Sequence, residues 1–242
     1  MIDYIDLKDT WEYVQDTFNG MRVIGDVHGE ITAFENAVDG ALIDNKLIIG
    51  LGDYVDRGED SAQVMELVLD LVDDHKMIAI VGNHDDKTWR YLNGNDVNIT
   101  HGIETTIRDL ADHPSGDDIG AEWHKEMPSW PMWITLGDRT FVHGGYAATM
   151  NARSIPWREK KTSKNLASRA LFGKTTKEVT PDGYAVRSYE WIAQIPRGHT
   201  VYIGHDARPE IETRSYAGGG NLVMVDTGAG KGGKLSWVDI NF

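Results

Sequence analysis

The stretch Met21-Arg22-Val23-Ile24-Gly25-Asp26-Val27-His28-Gly29 decides how this chain is read. A short apolar strand, Met21 to Ile24, stops at a glycine and hands over to a carboxylate and an imidazole two residues apart. On an extended chain, residues at that spacing point to one side. An oxygen and a nitrogen donor presented together suit a divalent transition metal. The pattern recurs twice. Lys46 to Leu51 runs into Gly52-Asp53-Tyr54-Val55-Asp56-Arg57-Gly58, and Met77 to Val81 runs into Gly82-Asn83-His84-Asp85. Between the strands, Ile31, Phe34 and Val38 recur at helical spacing, and from Ser61 to Asp74 the residues Val64, Leu67, Val68 and Leu71 share one helical face. Strand and helix alternating at this rhythm predict parallel strands joined by helical crossovers. Ligands of such sheets sit beyond the carboxyl ends of the strands, where all three motifs fall.

Ahead of this stretch, Trp11, Val14 and Phe18 predict a helix capped by Asp9 with Glu12 as its partner and ended by Asn19-Gly20. After it, the strand rhythm loosens. Residues 112–132, rich in Trp, Pro, Gly and Asp, predict a short helix and loops. Trp133 to Leu136 and Thr140 to Val142 predict a hairpin around Gly137-Asp138. Val201 to Ile203, Leu222 to Val225 and Leu235 to Ile240 predict further strands, forming a second sheet packed on the first. The long stretch 144–198 has weak helical character around Leu166 to Phe172 and reads as a cap or specificity insert. The expected organisation is an N-terminal helix over 1–20 and a single layered α/β domain over 21–242. That domain would have helix-sheet-sheet-helix layers, mixed sheets and cap-like inserts around 112–132 and 144–198. Two more histidines, in His143-Gly144-Gly145 and Gly204-His205, join the candidates. The candidate ligands are then Asp26, His28, Asp53, Asn83, His143 and His205.

The 242 residues carry 24 basic and 38 acidic side chains, a net charge of -14. That balance argues against non-specific binding to long duplex nucleic acid, which needs a cationic face, yet leaves room for a local positive pocket. No cysteine is present, so thiolate metal sites, disulfides and a cysteine nucleophile are excluded. The first residues show neither a basic region nor an apolar run, and no stretch reaches the ~20 apolar residues of a membrane span. A cytoplasmic protein without a membrane partner is the expectation.

Together the five motifs resemble those of the calcineurin-like metallophosphoesterase superfamily: G-D-x-H-G, G-D-x-x-D-R-G, G-N-H-E/D, H-A/G-G and G-H. The stretches Thr100-His101-Gly102, Ala170-Leu171-Phe172-Gly173 with Thr175-Thr176, and Asp226-Thr227-Gly228 are similar to the phosphatase domain of bacterial polynucleotide kinase-phosphatases. That group is itself similar to bacterial dinucleoside tetraphosphate hydrolases and to bacterial and phage serine/threonine phosphatases. The resemblance implies a dinuclear centre, most often of manganese, with nickel, cobalt, iron or zinc as substitutes. Asp26 and His28 would bind one metal, Asp53 would bridge, and Asn83, His143 and His205 would bind the other. Two such metals ~3.5–4 Å apart clamp phosphoryl oxygens. A hydroxide bridging them would attack in line, without a phospho-enzyme.

Within this frame Arg57 offers a planar fork to phosphate oxygens. His84 would protonate the leaving oxygen or stabilise its charge, and Asp56 would hold and polarise His84. Arg158 and Arg169 are candidates for a further phosphate clamp, and Asp226 for a place behind the ligands or facing the substrate. The resemblance implies hydrolysis of phosphomonoesters, with phosphodiesters as a second substrate class. The substrate would be a nucleotide or nucleic-acid terminus, a dinucleoside polyphosphate or a phosphoprotein. The rival class is a non-enzymatic binding module on the same fold, whose members lose metal ligands; here every ligand position is filled. The departures from the pattern are Asp85 in place of glutamate, Gly144 in place of alanine, and Asp206-Ala207 in place of Thr-Pro. No G-x-x-x-x-G-K-S/T motif of a kinase occurs.

Overall fold

The alternation expected around Asp26 is present in a computed structural model of the chain, which describes residues 7–179 and 185–242. After helix α1 (Leu7–Thr17) come β1 (Gly20–Ile24), α2 (Ile31–Ile43), β2 (Lys46–Gly50), α3 (Ser61–Asp73), β3 (Met77–Ala79) and α4 (Asn83–Leu92). Strand β2 pairs in parallel with both β1 and β3. Asp60 caps α3 by accepting from the Gln63 amide at 3.0 Å. Helix α1 is already under way at Leu7, so Asp9 lies inside it rather than at its cap.

Two helices follow, α5 (Ile103–Asp112) and α6 (Gly116–Glu126), then β4 (Trp133–Leu136) and β5 (Arg139–Val142). The remaining elements are α7 (Lys164–Phe172), β6 (Lys174–Val179), β7 (Ala185–Ser188), β8 (Thr200–Ile203), β9 (Glu212–Ser215), β10 (Asn221–Met224) and β11 (Trp237–Asn241). The first sheet has the order β11-β1-β2-β3 and the second β4-β5-β8-β10-β9; β6 and β7 form a separate hairpin. Both large sheets are mixed, since β11 is antiparallel to β1 and β8 lies parallel to β5 and β10. No helix among the described residues is long and apolar enough to cross a membrane.

Alternation assigns the faces. Met21, Val23, Leu47, Ile49 and Ile78 meet Ile134, Leu136, Phe141 and Tyr202 between the sheets. Their neighbours Ile24, Ile48 and Ala79 join Phe34, Val38, Val64 and Val68 in the layer with α2 and α3. Each buried aliphatic side chain is worth about 1.5–3 kcal/mol. A one-residue slip would exchange the two sets, so the register is strongly specified.

Three expectations need correction. The last strand, β11, joins the first sheet and not the second. Its Asp239 stands opposite Arg22 in the β1 register and accepts both Arg22 Nε and Nη2 at 2.7 Å, with Lys46 at 3.0 Å. Residues 112–132 are a core layer and not a cap-like insert. Trp123 and Trp130 are buried and pack edge-on against Tyr54, each at 6.2 Å, and the Pro131 carbonyl accepts from Val81 N. This layer therefore supports the loop that carries Asp53. The 144–198 stretch also does more than cap. Tyr146, Trp191, Ile192 and Ala170 share a core with Val201, Ile203, Leu222 and Met224 of the second sheet, so most of it forms that sheet's outer layer.

Candidate metal centre

Every candidate ligand lies just beyond the carboxyl end of a strand. Asp26 and His28 follow β1, Asp53 follows β2, Asn83 opens α4 after β3, His143 follows β5 and His205 follows β8. The two sheets thus aim their strand ends at one spot. The loops there are tied together by backbone bonds: the Asp53 carbonyl accepts from His28 N at 2.9 Å, and the Tyr54 carbonyl from Gly29 N at 2.8 Å. Gly82 is required here, because a Cβ would collide with the Asp53 carboxylate. His28, Asp53, Asp56, Arg57 and His205 all adopt left-handed backbone, with φ between 49° and 78°. Such conformations cost of order 1–3 kcal/mol each outside glycine and concentrate at functional sites.

The tautomers follow from the partners. His28 Nδ1 donates to the Val55 carbonyl and His143 Nδ1 to the Leu51 carbonyl, both at 2.9 Å. Carbonyls only accept, so each Nδ1 carries a proton and each Nε2 is the ring nitrogen turned inward, where a cation would take the place of any proton it holds. Asp53 Oδ1 accepts from His84 N at 2.8 Å. Its Oδ2 then stands 3.4 Å from His143 Nε2, 3.9 Å from His28 Nε2 and 4.0 Å from His84 Nε2. His143 Nε2 lies 3.1 Å from both Asn83 Oδ1 and His205 Nδ1. Asp26 Oδ1 accepts from His205 N at 2.8 Å, while its Oδ2 and His205 Nε2 are buried without a hydrogen-bond partner. Two ligand groups close around one carboxylate: His28, Asp53 and His84, and Asp53, His143 and His205, each with its donor atoms within 4.8 Å.

The electrostatics fit a site built for cations. Burial and then the Asp226 charge push Asp26 well above the usual carboxylate range. Asp53 is held well below it: burial works the other way, and the imidazoles of His143 and His84 outweigh it. Burial would neutralise His143, but the Asp53 charge pulls it up to about 9. Burial lowers His28 and His205. Acceptors crowded in low dielectric, with buried atoms left unpaired, match the donor set of a divalent metal.

His84 and Arg57 stand at the edge of this cluster. Asp56 Oδ2 accepts from His84 Nδ1 at 2.5 Å, and Arg57 Nη2 donates to His84 Nε2 at 3.0 Å while Nη1 meets the His28 ring. Asp56 is itself gripped by Thr106 Oγ1, which donates to its Oδ1 at 2.6 Å, and by Ser61 Oγ, which accepts from its amide. Arg57 N donates to Thr105 Oγ1 and to the Gly102 carbonyl. The Thr100-His101-Gly102 stretch therefore buttresses the Asp56-Arg57 turn. Asp85 accepts from the amides of Asp53, Tyr54 and Gly82, and burial, then the Asp53 charge, raises it to about 7. Its short side chain fits because the Asp53 loop lies directly against the start of α4.

A cavity of about 880 Å³ opens over Asp53, Asn83, His84 and His205. Two of the expected phosphate clamps are not on it. Arg158 is exposed elsewhere, and Arg169 donates to the Tyr146 carbonyl. Asp226 is 1% exposed and donates nothing to the cavity; it sits behind Asp26, with Oδ1 accepting from Gly228 N. The cations on the cavity wall are instead Lys87, Arg187, Arg208 and Lys231. Lys87, four residues past the Asn83 motif, and Arg208, three past His205, carried a positional signal; Arg187 and Lys231 carried none.

Comparison with known proteins agrees with this geometry. The family model described as calcineurin-like phosphoesterase matches residues 22–226. The protein named bis(5'-nucleosyl)-tetraphosphatase PrpE [asymmetrical] from Anoxybacillus flavithermus is 32% identical over 229 residues, covering 88% of this chain and 87% of its own. Its counterpart of the same name from Bacillus velezensis is 30% identical, covering 88% and 86%. Among solved structures, a protein serine/threonine phosphatase from Saccharomyces cerevisiae superposes with a TM-score of 0.60 at 13% identity. The match covers 94% of this chain and 81% of that one, a likeness of fold.

Proposed function

The chain belongs to the calcineurin-like phosphoesterase family of metal-dependent hydrolases, and from that premise we propose a dinuclear phosphohydrolase acting on nucleoside polyphosphates, with dinucleoside tetraphosphates as the substrate class. The observation that carries the reading is the position of Asp53 Oδ2 between two imidazoles, 3.9 Å from His28 Nε2 and 3.4 Å from His143 Nε2, with the unpartnered Asp26 Oδ2 3.8 Å from that same His28 atom. Asp26, His28 and Asp53 would hold one divalent cation, and Asp53, Asn83, His143 and His205 the other. Manganese suits the mixed carboxylate, amide and imidazole set. Bound there, the metals would draw charge from the phosphoryl oxygens and acidify the attacking water.

The chain's own residues do the rest. Arg57 swings its fork from the histidines to the non-bridging oxygens of the scissile phosphate, a bidentate match that lysine lacks. Once Arg57 has left it, His84 Nε2 is free to carry a proton taken from solvent; as an imidazolium with Nδ1–H held by Asp56, the ring would hand that Nε2 proton to the leaving oxygen and end neutral. Asp56, locked by Thr106 and Ser61, keeps that ring oriented. Asp85 holds the Asp53 loop against α4. The choice of substrate rests on two supports. Relatives matching 88% of the chain bear the tetraphosphatase name. The cavity wall also carries Lys87, Arg187 and Lys231 beyond Arg57, with Arg208 paired to Asp206 at 2.7 Å, a local gathering of positive charge in a chain of net charge -14. The phosphomonoester reading shares the same metal chemistry and differs in the leaving group and in the phosphorus attacked, which is terminal in a monoester and carries a second bridging oxygen in a tetraphosphate.

The test is a substrate comparison with manganese-loaded protein: diadenosine tetraphosphate, p-nitrophenyl phosphate, a 3′-phosphorylated oligonucleotide and a phosphoserine peptide. The expected result is the highest kcat/KM on the tetraphosphate, with ATP and AMP as products. A peptide or oligonucleotide hydrolysed faster would overturn the substrate assignment.

A further inference from the structure

Phe172 is a large apolar side chain left 45% exposed, and it lies on the wall of the catalytic cavity. Its ring sits 6.4 Å from that of the ligand His205, at 76°. It is not a loose surface side chain. It ends α7, and the turn after it is pressed against the backbone that follows His143: Gly144 N donates to the Ala170 carbonyl at 2.5 Å. A Cβ on Gly144 would come within 2.6 Å of Gly173 N and 2.8 Å of Phe172 N. This close approach is the physical use of glycine where related motifs carry alanine. The Phe172 carbonyl also accepts from Arg187, so an aromatic ring and a cation share one piece of wall. The other aromatic ring there, Tyr189, is already engaged: Arg214 lies 4.5 Å and Arg208 5.8 Å from its centroid, and its hydroxyl bonds Asp206.

We infer that Phe172 is a specificity-determining residue whose exposed ring stacks on the nucleobase of the substrate, while Arg187 takes an adjacent phosphate. An aromatic held rigidly beside a metal ligand, next to a cation and open to the cavity, is what recognition of a base linked through ribose to the reacting phosphate requires. Stacking tolerates any base, because each has a π face. The inference rests on the nucleotide reading above and sharpens it, since it makes the base a source of affinity separate from the phosphates.

Equilibrium binding separates this from the activity. AMP and ribose 5-phosphate, which differ only by the base, are titrated into manganese-loaded wild type, Phe172→Ala and Phe172→Trp. In parallel, turnover of diadenosine tetraphosphate is measured in the wild type. The expected result is tighter binding of AMP than of ribose 5-phosphate in the wild type. Phe172→Ala should weaken AMP by about 5–100-fold and leave ribose 5-phosphate unchanged. Phe172→Trp should restore AMP binding, which a merely structural role for the side chain would not give. Equal wild-type affinity for the two ligands, or an equal loss on both in Phe172→Ala, would overturn the inference. A wild type that prefers AMP but does not hydrolyse the tetraphosphate would overturn the proposed substrate and leave the base platform standing.

Discussion

Two clusters of charge touch the first sheet, one on its strands and one beyond the strand ends where the second sheet joins it, and they are built in opposite ways. Around Asp239, every charge has its counter-charge: Arg22 forks onto both carboxylate oxygens, and Lys46 reaches Asp239 and Asp44 at 3.0 and 3.1 Å. Beyond the strand ends, ligand atoms crowd together with few donors among them. Asp53 Oδ2, the Nε2 atoms of His28, His84 and His143, and Asn83 Oδ1 converge, Arg57 reaches only the edge of the group, and buried Asp26 Oδ2 has no hydrogen-bond partner. The backbone differs in degree: five left-handed residues (His28, Asp53, Asp56, Arg57 and His205) gather at the second cluster, against Asn45 alone beside the first, whose Arg22, Lys46 and Asp239 lie on regular strands. A satisfied cluster stabilises the fold as it stands. An unsatisfied one, held in place by strain and second-rank bonds such as Thr106 to Asp56, is arranged for something that arrives from solution.

The largest effect should come from breaking the unsatisfied cluster at its centre. Asp53→Asn should lose metal and activity together, by more than the 10–100-fold typical of residues behind the ligands. Arg57→Ala should keep the metal and lose about 10²–10³-fold in rate, as removal of a donor to developing charge does. Metal analysis beside kcat distinguishes them; normal turnover by Arg57→Ala would remove it from the phosphate. Next in size is the leaving group. An alkoxide needs a proton as it departs and p-nitrophenolate scarcely does, so His84→Ala should cost an alkyl phosphate ~10²–10⁴-fold and p-nitrophenyl phosphate far less. Asp56→Asn should give a smaller loss of the same selective kind. Equal losses on both substrates would make His84 an electrostatic stabiliser and not an acid.

The satisfied cluster should respond only in stability. Asp239→Asn leaves Arg22, whose side chain is 7% exposed, with a weakened partner. The expected cost is about 2 kcal/mol, below the 3–5 of a fully buried pair, because Asp239 keeps 31% exposure. Catalysis should not change. The Arg22 hydrogen bond, against burial and with help from Lys46, holds Asp239 below its ordinary 3.8. Its contribution is therefore full above that pH and is lost as pH falls through the depressed value. Denaturation of wild type and variant should converge in acid; a gap that stays constant with pH would show that the pair does not act through charge.

The same contrast marks what was legible in the sequence. Glycine followed by a ligand at the end of an apolar run is a local pattern, so β1, β2, β3 and the ligands after them could be read directly. Arg57, His84 and Asp56 came with the same motifs. The partner of β1 was not legible: Asp239 lies 217 residues from Arg22, and no local signal sends β11 to the first sheet. Residues 112–132 looked irregular because their tryptophans face one another and Tyr54 instead of following one helical period. Arg158 and Arg169 attracted notice as arginines of the insert, but position on the wall depends on how that insert folds back, which brings Arg187 and Phe172 there. Asp226 was visible as a strand-end carboxylate; only packing places it behind Asp26.

The central claim is that the unsatisfied cluster holds two cations that share Asp53. Protein stripped by a chelator and titrated with manganese tests it most directly, with activity and thermal midpoint followed at each addition. Activity should be absent at the start and rise to its maximum at two equivalents per chain, and the midpoint should rise in step because only the folded state offers the site. In Asp53→Asn neither quantity should reach the wild-type level. Full turnover by the stripped protein, or saturation of both signals at one equivalent, would contradict the account.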